Sequence, residues 1–211
     1  MDNNEFEYTV VPLFATPVFN TNVEPISDEL KHLLFNVEFE RMFAGNGHYS
    51  TDKYILRRPE CKPLYDSIMH RLQIFIRDVL HVAPEIDFEM TNSWVVKHDK
   101  GDWGQSHIHT NCLLSGVVYL QTDDKSGKIV FRKETNHANL FPTALDIDVT
   151  IWNLFNSKAW SFQPENNKVF FFPSNALHSI DRNESDMTRY SLAFNFFPKG
   201  KIGTKEFELD L

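Results

Sequence analysis

Two separate segments of the chain carry histidines at a spacing that suits metal binding. His107 and His109 lie in the segment 106–111 (SHIHTN), and His178 ends the segment 173–178 (PSNALH). In an extended strand alternate side chains point the same way, so His107 and His109 would share one face. Two imidazoles from one strand and a third from a distant strand can coordinate a divalent metal. The sequence therefore predicts a metal centre formed by His107, His109 and His178.

Position 109 allows three other interpretations. His109 could lie off the metal, which would leave a coordination site open. The register could instead be shifted so that His109 and Asn111 are the paired positions, although an Asn side chain is a poor metal ligand. In the third interpretation His109 is an ordinary strand residue that is hydrogen-bonded to its neighbours. The residues alone leave these alternatives open, and we favour the three-histidine arrangement.

A segment near the end of the chain alternates between two kinds of side chain. Residues 189–197 would place small or polar side chains on one strand face and large apolar ones on the other. The first face carries Arg189, Ser191, Ala193 and Asn195, and the second carries Tyr190, Leu192, Phe194 and Phe196. The pattern predicts a strand whose apolar face enters the core and whose polar face lines a cofactor-binding barrel mouth.

Two amphipathic helices are predicted in the first 85 residues. Ser27 is a candidate N-cap, and the apolar residues that follow it have helical spacing. This helix should end before the turn signal at 45–47 (GNG). A second helix begins near Pro63, which a first turn tolerates, and closes at Pro84. Its apolar stripe, from Leu64 onwards, is typical of a helix that packs against a sheet.

The other regular segments have the patterns of β-strands. An N-terminal strand over 8–19 contains Pro12 and Pro17, which predicts an edge strand. Alternation or short apolar runs predict further strands at 86–96, 117–120, 128–131, 149–152, 169–172 and 189–197. Residues 46–58 and 133–148 are expected to be loops. His70 and His81 are predicted to lie within the second helix. Both are interpreted as surface or incidental residues, as are His48, His98 and His137.

Composition bounds the class of protein. The 211 residues are 42% hydrophobic and 24% charged, which fits one globular domain. We expect an N-terminal strand and support helices over 1–85, a β core over about 86–200 and a tail over 201–211. The formal net charge of −8 argues against general nucleic-acid binding. The sequence has only two cysteines, and it shows neither a signal-peptide pattern nor an apolar run of membrane length. These features predict a cytoplasmic protein without a membrane partner.

The order of these motifs resembles that of the iron(II)/2-oxoglutarate-dependent oxygenases, and more narrowly of a branch common in bacterial and tailed-phage genomes. The resembling segments extend over almost the whole chain: 13–19, 107–109, 114–119, 126–131, 172–174 with His178, and 189–195. The resemblance implies a mostly β fold with flanking helices, whose core is a double-stranded β-helix (a cupin-like jelly roll). It also implies Fe(II) and 2-oxoglutarate as cofactors.

The resemblance assigns roles to particular residues. The metal ligands would be His107, His109 and His178, and the cofactor contacts would be Arg189, Ser191, Tyr119 and Asn195. Arg189, eleven residues after His178, stands where the family keeps the partner of the distal carboxylate of 2-oxoglutarate. A guanidinium suits that role because it offers a bidentate fork and stays charged. Most of the wider superfamily has a carboxylate at position 109, so this chain departs from the pattern there. The twelve-residue distance from His107 to Tyr119 favours His107 as the first ligand.

The activity implied by the resemblance is that of a dioxygenase, in particular a hydroxylase. It would oxidise an unidentified substrate, a small molecule or a protein side chain, while 2-oxoglutarate decarboxylates to succinate. The loops at 46–58, 98–105 and 133–160 would select that substrate. Two alternatives stay open: a non-catalytic cupin-like binding or virion-associated module, and a three-histidine dioxygenase that does not use 2-oxoglutarate. An inward Arg189 argues against the module, which needs no cation there. The sequence leaves the oligomeric state open, a homodimer included.

Overall fold

The computed structural model describes residues 9–43, 45–133, 147–203 and 205–211. Its helices are α1 (Asp28–Phe35) and α2 (Lys62–Ile74), and α2 continues as a π-helix over Phe75–Val79. The strands in chain order are β1 (Phe19–Asn22), β2 (Phe39–Arg41), β3 (Gly45–Asn46), β4 (His48–Ser50), β5 (Asp87–His98), β6 (Trp103–His107), β7 (Leu114–Gln121), β8 (Ile129–Arg132), β9 (Ala159–Phe162), β10 (Lys168–Pro173), β11 (His178–Ile180), β12 (Arg189–Lys199), β13 (Lys201–Ile202) and β14 (Leu209–Asp210).

Two antiparallel sheets face each other. The major sheet has the strand order β1-β10-β7-β12-β5-β4-β2, and the minor sheet has the order β3-β6-β11-β8-β9. Their inner faces share one apolar cluster, to which the major sheet contributes Val117, Phe170 and Phe172 and the minor sheet Ile129 and Phe131. The ring centroids of Phe131 and Phe172 are 5.0 Å apart. This arrangement confirms the predicted mostly β architecture with flanking helices.

Helix α2 covers the outer face of the major sheet. Its stripe of Leu64, Ile68 and Leu72 is buried, in one cluster with Leu192 and Phe194 of β12. Helix α1 begins where predicted, since the Ser27 side chain accepts a hydrogen bond of 3.2 Å from the Leu30 backbone N–H. Both predicted support helices are therefore confirmed. In the part of the chain that the structure describes, no helix has the length and apolarity needed to cross a membrane.

The two longest strands, β5 and β12, are paired in the middle of the major sheet. Residues directly opposite each other in a sheet project to the same face. The register pairs Arg189 with His98, Ser191 with Val96, Ala193 with Trp94 and Asn195 with Asn92. The predicted polar face of β12 therefore lies beside a row of β5 side chains. Its other face, with Leu192, Phe194 and Phe196, is buried in the core as predicted.

Several predictions for the first half of the chain need correction. The N-terminal strand begins only at Phe19, although it does lie at a sheet edge. Residues 46–58, predicted as a loop, contain part of β3, which pairs with β6, and all of β4, which pairs with β5. They also contain the 3₁₀ turn Ile55–Arg57. The second helix ends at Val79 rather than at Pro84. His81 consequently lies after that helix, with a φ of +52°.

The predicted strand at 149–152 is wrong. The residues that follow it have side chains that bond to the local backbone: Asn156 Nδ2 donates to the Ile151 carbonyl over 2.9 Å, and Asn153 Oδ1 accepts from the Phe155 N–H over 2.8 Å. Such local bonds favour turns over strand pairing. The strand of this region is β9, which the sequence did not indicate. Most of the predicted loop at 133–148 lies outside the described residues.

Candidate metal centre and carboxylate site

Three histidines converge at one end of the two facing sheets. His107 ends β6 and pairs with His178, the first residue of β11. His109 follows β6 by two residues, and its backbone N–H donates to the Ser174 carbonyl over 2.9 Å. The ring centroids are 4.4 Å apart for His107 and His178, and 5.2 Å apart for His109 and His178. One candidate ligand atom from each of the three lies within 4.8 Å of the others. The structure thus brings the three predicted residues together.

Hydrogen bonds fix which ring nitrogen of each histidine is available. His107 Nδ1 lies 2.7 Å from the Gln105 carbonyl oxygen, and His178 Nδ1 lies 2.8 Å from that of Ala176. His109 Nδ1 lies 2.6 Å from Oδ1 of Asn195. Carbonyl oxygens only accept hydrogen bonds, so each Nδ1 must carry the proton. Every Nε2 therefore keeps its lone pair, which is the tautomer that binds a metal through Nε2.

Asn195 belongs to a buried relay behind His109. Its Oδ1 also accepts a hydrogen bond of 2.8 Å from the Ser115 hydroxyl. Ser115 Oγ lies 2.9 Å from Ser174 Oγ, and since Ser115 has given its proton to Asn195, Ser174 must donate to Ser115. Two side chains, His109 and Ser115, thus hold the Asn195 side-chain oxygen. Asn195 therefore contacts a candidate metal ligand.

Burial favours the neutral form of His109 and His178. Desolvation, with the neighbouring His107 next in importance, lowers the pKa of His178 to about 3. Desolvation also lowers the pKa of His109, and the hydrogen bond to Asn195 opposes that effect. Only the neutral form of an imidazole has a lone pair to offer to a metal. The donor set of three imidazoles suits Fe(II) and other divalent ions of the first transition row.

A buried arginine lies in the same cavity. Arg189 is 1% exposed, and its Nη1 lies 3.1 Å from His98 Nδ1. Its Nε and Nη2 have no hydrogen-bond partner among the described residues, and neither has the hydroxyl of the fully buried Tyr119. The guanidinium carbon is 5.0 Å from the centroid of the Tyr119 ring. Buried donors on a charged group are costly when unsatisfied. These atoms therefore suit a planar anion such as a carboxylate.

One cavity of about 300 Å³ connects the two groups. The three histidines, His98, Arg189 and Ser191 all line it. Apolar side chains supply much of the remaining wall: Trp94, Val96, Val117, Ile129, Phe172, Ile180 and Ala193. Apolar walls lower the local polarity, which strengthens electrostatic interactions within the cavity. The predicted residues Arg189 and Ser191 thus share a cavity with the histidines, while Tyr119 lies beside Arg189.

A second cluster of potential ligands is less suited to a metal. His48, Asp99 and Asp102 have ligand atoms within 4.8 Å of one another. Asp99 already accepts a hydrogen bond of 2.7 Å from Thr188 and lies 3.2 Å from the Lys97 ammonium. Asp102 accepts from the Asp99 backbone N–H over 2.9 Å. These carboxylates are used to hold a turn, and Lys97 competes with any cation.

His98 is a candidate functional residue that the sequence motifs do not indicate. The interpretation of His98 as a surface or incidental residue is wrong, because it is 1% exposed and contacts Arg189. Its role depends on the long-range pairing of β5 with β12, which spacing along the chain does not reveal. One signal was present: His98 has the same strand parity as Trp94 and Val96, so an extension of the predicted strand by two residues would have turned it inward.

Comparisons with known proteins agree with this geometry. Residues 92–195 match a family model described as "Putative 2OG-Fe(II) oxygenase", where 2OG denotes 2-oxoglutarate. Among curated protein sequences, none matches this chain.

Similar solved structures support the fold. An oxidoreductase of the 2OG-Fe(II) oxygenase family from Burkholderia pseudomallei has a TM-score of 0.55 at 14% identity, over 80% of this chain and 77% of that one. A prolyl-4-hydroxylase from Pseudomonas putida has a TM-score of 0.55 at 13% identity, over 86% and 92%. HygX from Streptomyces hygroscopicus, with nickel and 2-oxoglutarate bound, has a TM-score of 0.58 at 12% identity, over 86% and 83%. These similarities confirm the predicted jelly-roll fold.

Proposed function

Because this chain belongs to the 2OG-Fe(II) oxygenase family through residues 92–195, we propose that it is a dioxygenase with Fe(II) at the three histidines and 2-oxoglutarate in the adjoining cavity. His107, His109 and His178 are the proposed metal ligands. Arg189 is the proposed anchor of the distal carboxylate of 2-oxoglutarate. When bound, the two cofactors supply O₂ activation coupled to oxidative decarboxylation, from which succinate and a hydroxylated substrate result.

The chain's own residues would bind, orient and enclose the reactants. The Nδ1 hydrogen bonds hold each imidazole with its Nε2 lone pair free, so the ligands need no rearrangement. Arg189 would donate through Nε and Nη2 to both oxygens of one carboxylate. Burial raises the pKa of Tyr119, which keeps its hydroxyl protonated as a further donor. Ser191 lines the cavity between the two groups.

One observation carries the proposal. Arg189, whose Nε and Nη2 have no partner among the described residues, lines the same cavity as three imidazoles with free Nε2 atoms. A non-catalytic module, or a three-histidine dioxygenase that does not use 2-oxoglutarate, gives no reason to bury that cation without an anionic partner. The 2-oxoglutarate-dependent reaction explains both groups at once.

The substrate would approach from the His109 side. An open cavity of about 460 Å³ adjoins His109, and its remaining lining is uncharged: Tyr54, Thr91, Asn92, Trp94, Thr110, Asn111 and Asn195. Similar structures include a prolyl-4-hydroxylase and HygX with hygromycin B bound. We accordingly propose a substrate that is either a protein side chain or a small molecule.

On the sequence alone we also propose that residues 1–211 form a single domain. The same basis supports membership of the bacterial and tailed-phage branch of the family and a cytoplasmic location.

The test is the anaerobic visible spectrum of the purified chain with Fe(II) and 2-oxoglutarate. A chelated complex should give a weak charge-transfer band that Fe(II) alone does not give. Arg189→Ala at the same ligand concentration should weaken the band, and excess 2-oxoglutarate should restore it. Stoichiometric Fe(II) binding without any band at saturating 2-oxoglutarate would refute the proposed cosubstrate.

A further inference from the structure

We propose that His98 is a positioning residue that presents Arg189 to the distal carboxylate of 2-oxoglutarate. This inference rests on the proposed function of the same cavity. The proposed role is to orient the guanidinium of Arg189, and His98 lies outside the motifs that the sequence shows.

The contact between the two side chains has a defined direction. His98 and Arg189 are directly opposite each other on β5 and β12. A guanidinium has only donors, so Arg189 Nη1 donates over 3.1 Å and His98 Nδ1 accepts. His98 therefore carries its proton on Nε2. The bond leaves Nε and Nη2 of Arg189 for another partner, and these two nitrogens form one edge that can bind a carboxylate bidentately.

His98 is itself held from several sides. It is 1% exposed, and its backbone carbonyl accepts a hydrogen bond of 3.0 Å from Asn183 Nδ2. The turn between β3 and β4 lies against its ring, because a Cβ on Gly47 would be only 2.7 Å from His98 Cδ2. The imidazole thus has little freedom to turn, and it transfers that constraint to the guanidinium.

A neutral acceptor is what this position requires. Burial first, and then the charge of Arg189, lower the pKa of His98 to about 3, although Asp99 acts in the opposite direction. An acidic residue at 98 would also hold Arg189, but it would neutralise the charge and compete with the incoming carboxylate. A neutral imidazole orients Arg189 and leaves its full charge for the ligand.

The experiment compares two variants and two ligands. His98→Phe keeps a planar ring but removes the acceptor, whereas His98→Asn can place an oxygen near the position of Nδ1. Binding of 2-oxoglutarate and of 2-oxovalerate, which lacks the distal carboxylate, is measured by calorimetry or competition with Zn²⁺ bound. Thermal unfolding and metal stoichiometry show whether each variant folds and keeps the metal centre.

His98→Phe should weaken 2-oxoglutarate binding by about tenfold or more, as expected for loss of a hydrogen bond to a charged group. Binding of 2-oxovalerate should stay unchanged, and His98→Asn should restore most of the 2-oxoglutarate affinity. Unchanged 2-oxoglutarate binding in His98→Phe, or equal weakening for both ligands, would overturn the inference and leave the proposed function intact. Failure of the wild-type chain to bind 2-oxoglutarate would overturn both.

If His98→Phe does not fold, the pair His98→Asn and His98→Gln decides the matter. Gln moves the acceptor further along the side chain, away from the position of Nδ1. It should therefore bind 2-oxoglutarate more weakly than Asn does, with 2-oxovalerate unaffected. Equal 2-oxoglutarate affinity in these two variants would overturn the inference.

Discussion

The two ends of the cavity use their polar atoms in opposite ways. At the histidine end every Nδ1 proton is donated to an oxygen, and the Nε2 lone pairs are left free. At the arginine end the Nδ1 lone pair of His98 is used by Arg189 Nη1. Nε and Nη2 of Arg189, Nε2 of His98 and the hydroxyl of Tyr119 lack partners among the described residues. The first end is suited to a cation and the second to an anion. At each end, hydrogen bonds within the protein leave free the atoms that would bind the ligand: three Nε2 lone pairs at the first, and Nε and Nη2 of Arg189 at the second.

The largest expected effect is the loss of metal affinity at the histidine end of the cavity. His178→Ala and His109→Ala should both lose most of their Fe(II) affinity, because each removes one of three converging imidazoles. His109→Asp should retain metal, since a carboxylate oxygen suits iron(II). Iron titration of the folded variants, with circular dichroism as the check on folding, measures this. Metal binding close to wild type in His109→Ala would mean that His109 is not a ligand.

At the arginine end the loss should be selective. Arg189→Ala should bind metal normally but lose 2-oxoglutarate affinity by roughly 2–5 kcal/mol, the usual cost of truncating a buried charge-assisted pair. Arg189→Lys is the matched control, and it should recover little because a point ammonium lacks the bidentate edge. Calorimetry with 2-oxoglutarate reports the difference. Full recovery with Lys would show that charge alone, without orientation, explains the site.

A smaller effect should follow from the relay behind His109. Asn195→Ala leaves His109 Nδ1 without its acceptor, so the tautomer with a free Nε2 is no longer fixed. Loss of such a supporting contact typically weakens metal affinity about 10–100-fold. Asn195→Asp keeps an acceptor at the same place and should retain most of the affinity. Equal metal affinity in wild type and Asn195→Ala would remove the relay from the metal centre.

The smallest effect concerns pH and the metal-free protein. The pKa of His98 is lowered to about 3 in the fold, whereas an unfolded His titrates near 6.5. The unfolded chain therefore takes up a proton first, so stability is lost as pH falls from about 6.5 towards 3, by about 1.4 kcal/mol per pH unit. His98→Asn should flatten this dependence, measured by urea unfolding between pH 7 and 5. The same substitution at the exposed His70 is the control for the exchange of His for Asn itself.

Local sequence patterns predicted those features of the fold that depend on residues close together in the chain. The period of β12 indicated which side chains face the cavity, and Ser27 indicated where α1 begins. The convergence of His107, His109 and His178 also followed from the order of the motifs. The pairing of His98 with Arg189 and of His109 with Asn195 did not. Both depend on contacts between segments 86 or more residues apart in sequence, which no spacing encodes.

A single strand, β12, carries the contacts to both ends of the cavity. Arg189 and Asn195 are six residues apart on it, a backbone length of about 20 Å. The length of the strand therefore sets the distance between Arg189, which would anchor the carboxylate, and Asn195, which supports His109. Because side chains change face at every residue, an insertion or deletion of one residue between them would turn one of the two out of the cavity. A change of two residues would keep both side chains on one face but alter the distance between them by about 7 Å. We therefore expect related chains to vary the composition of this stretch and to keep its length.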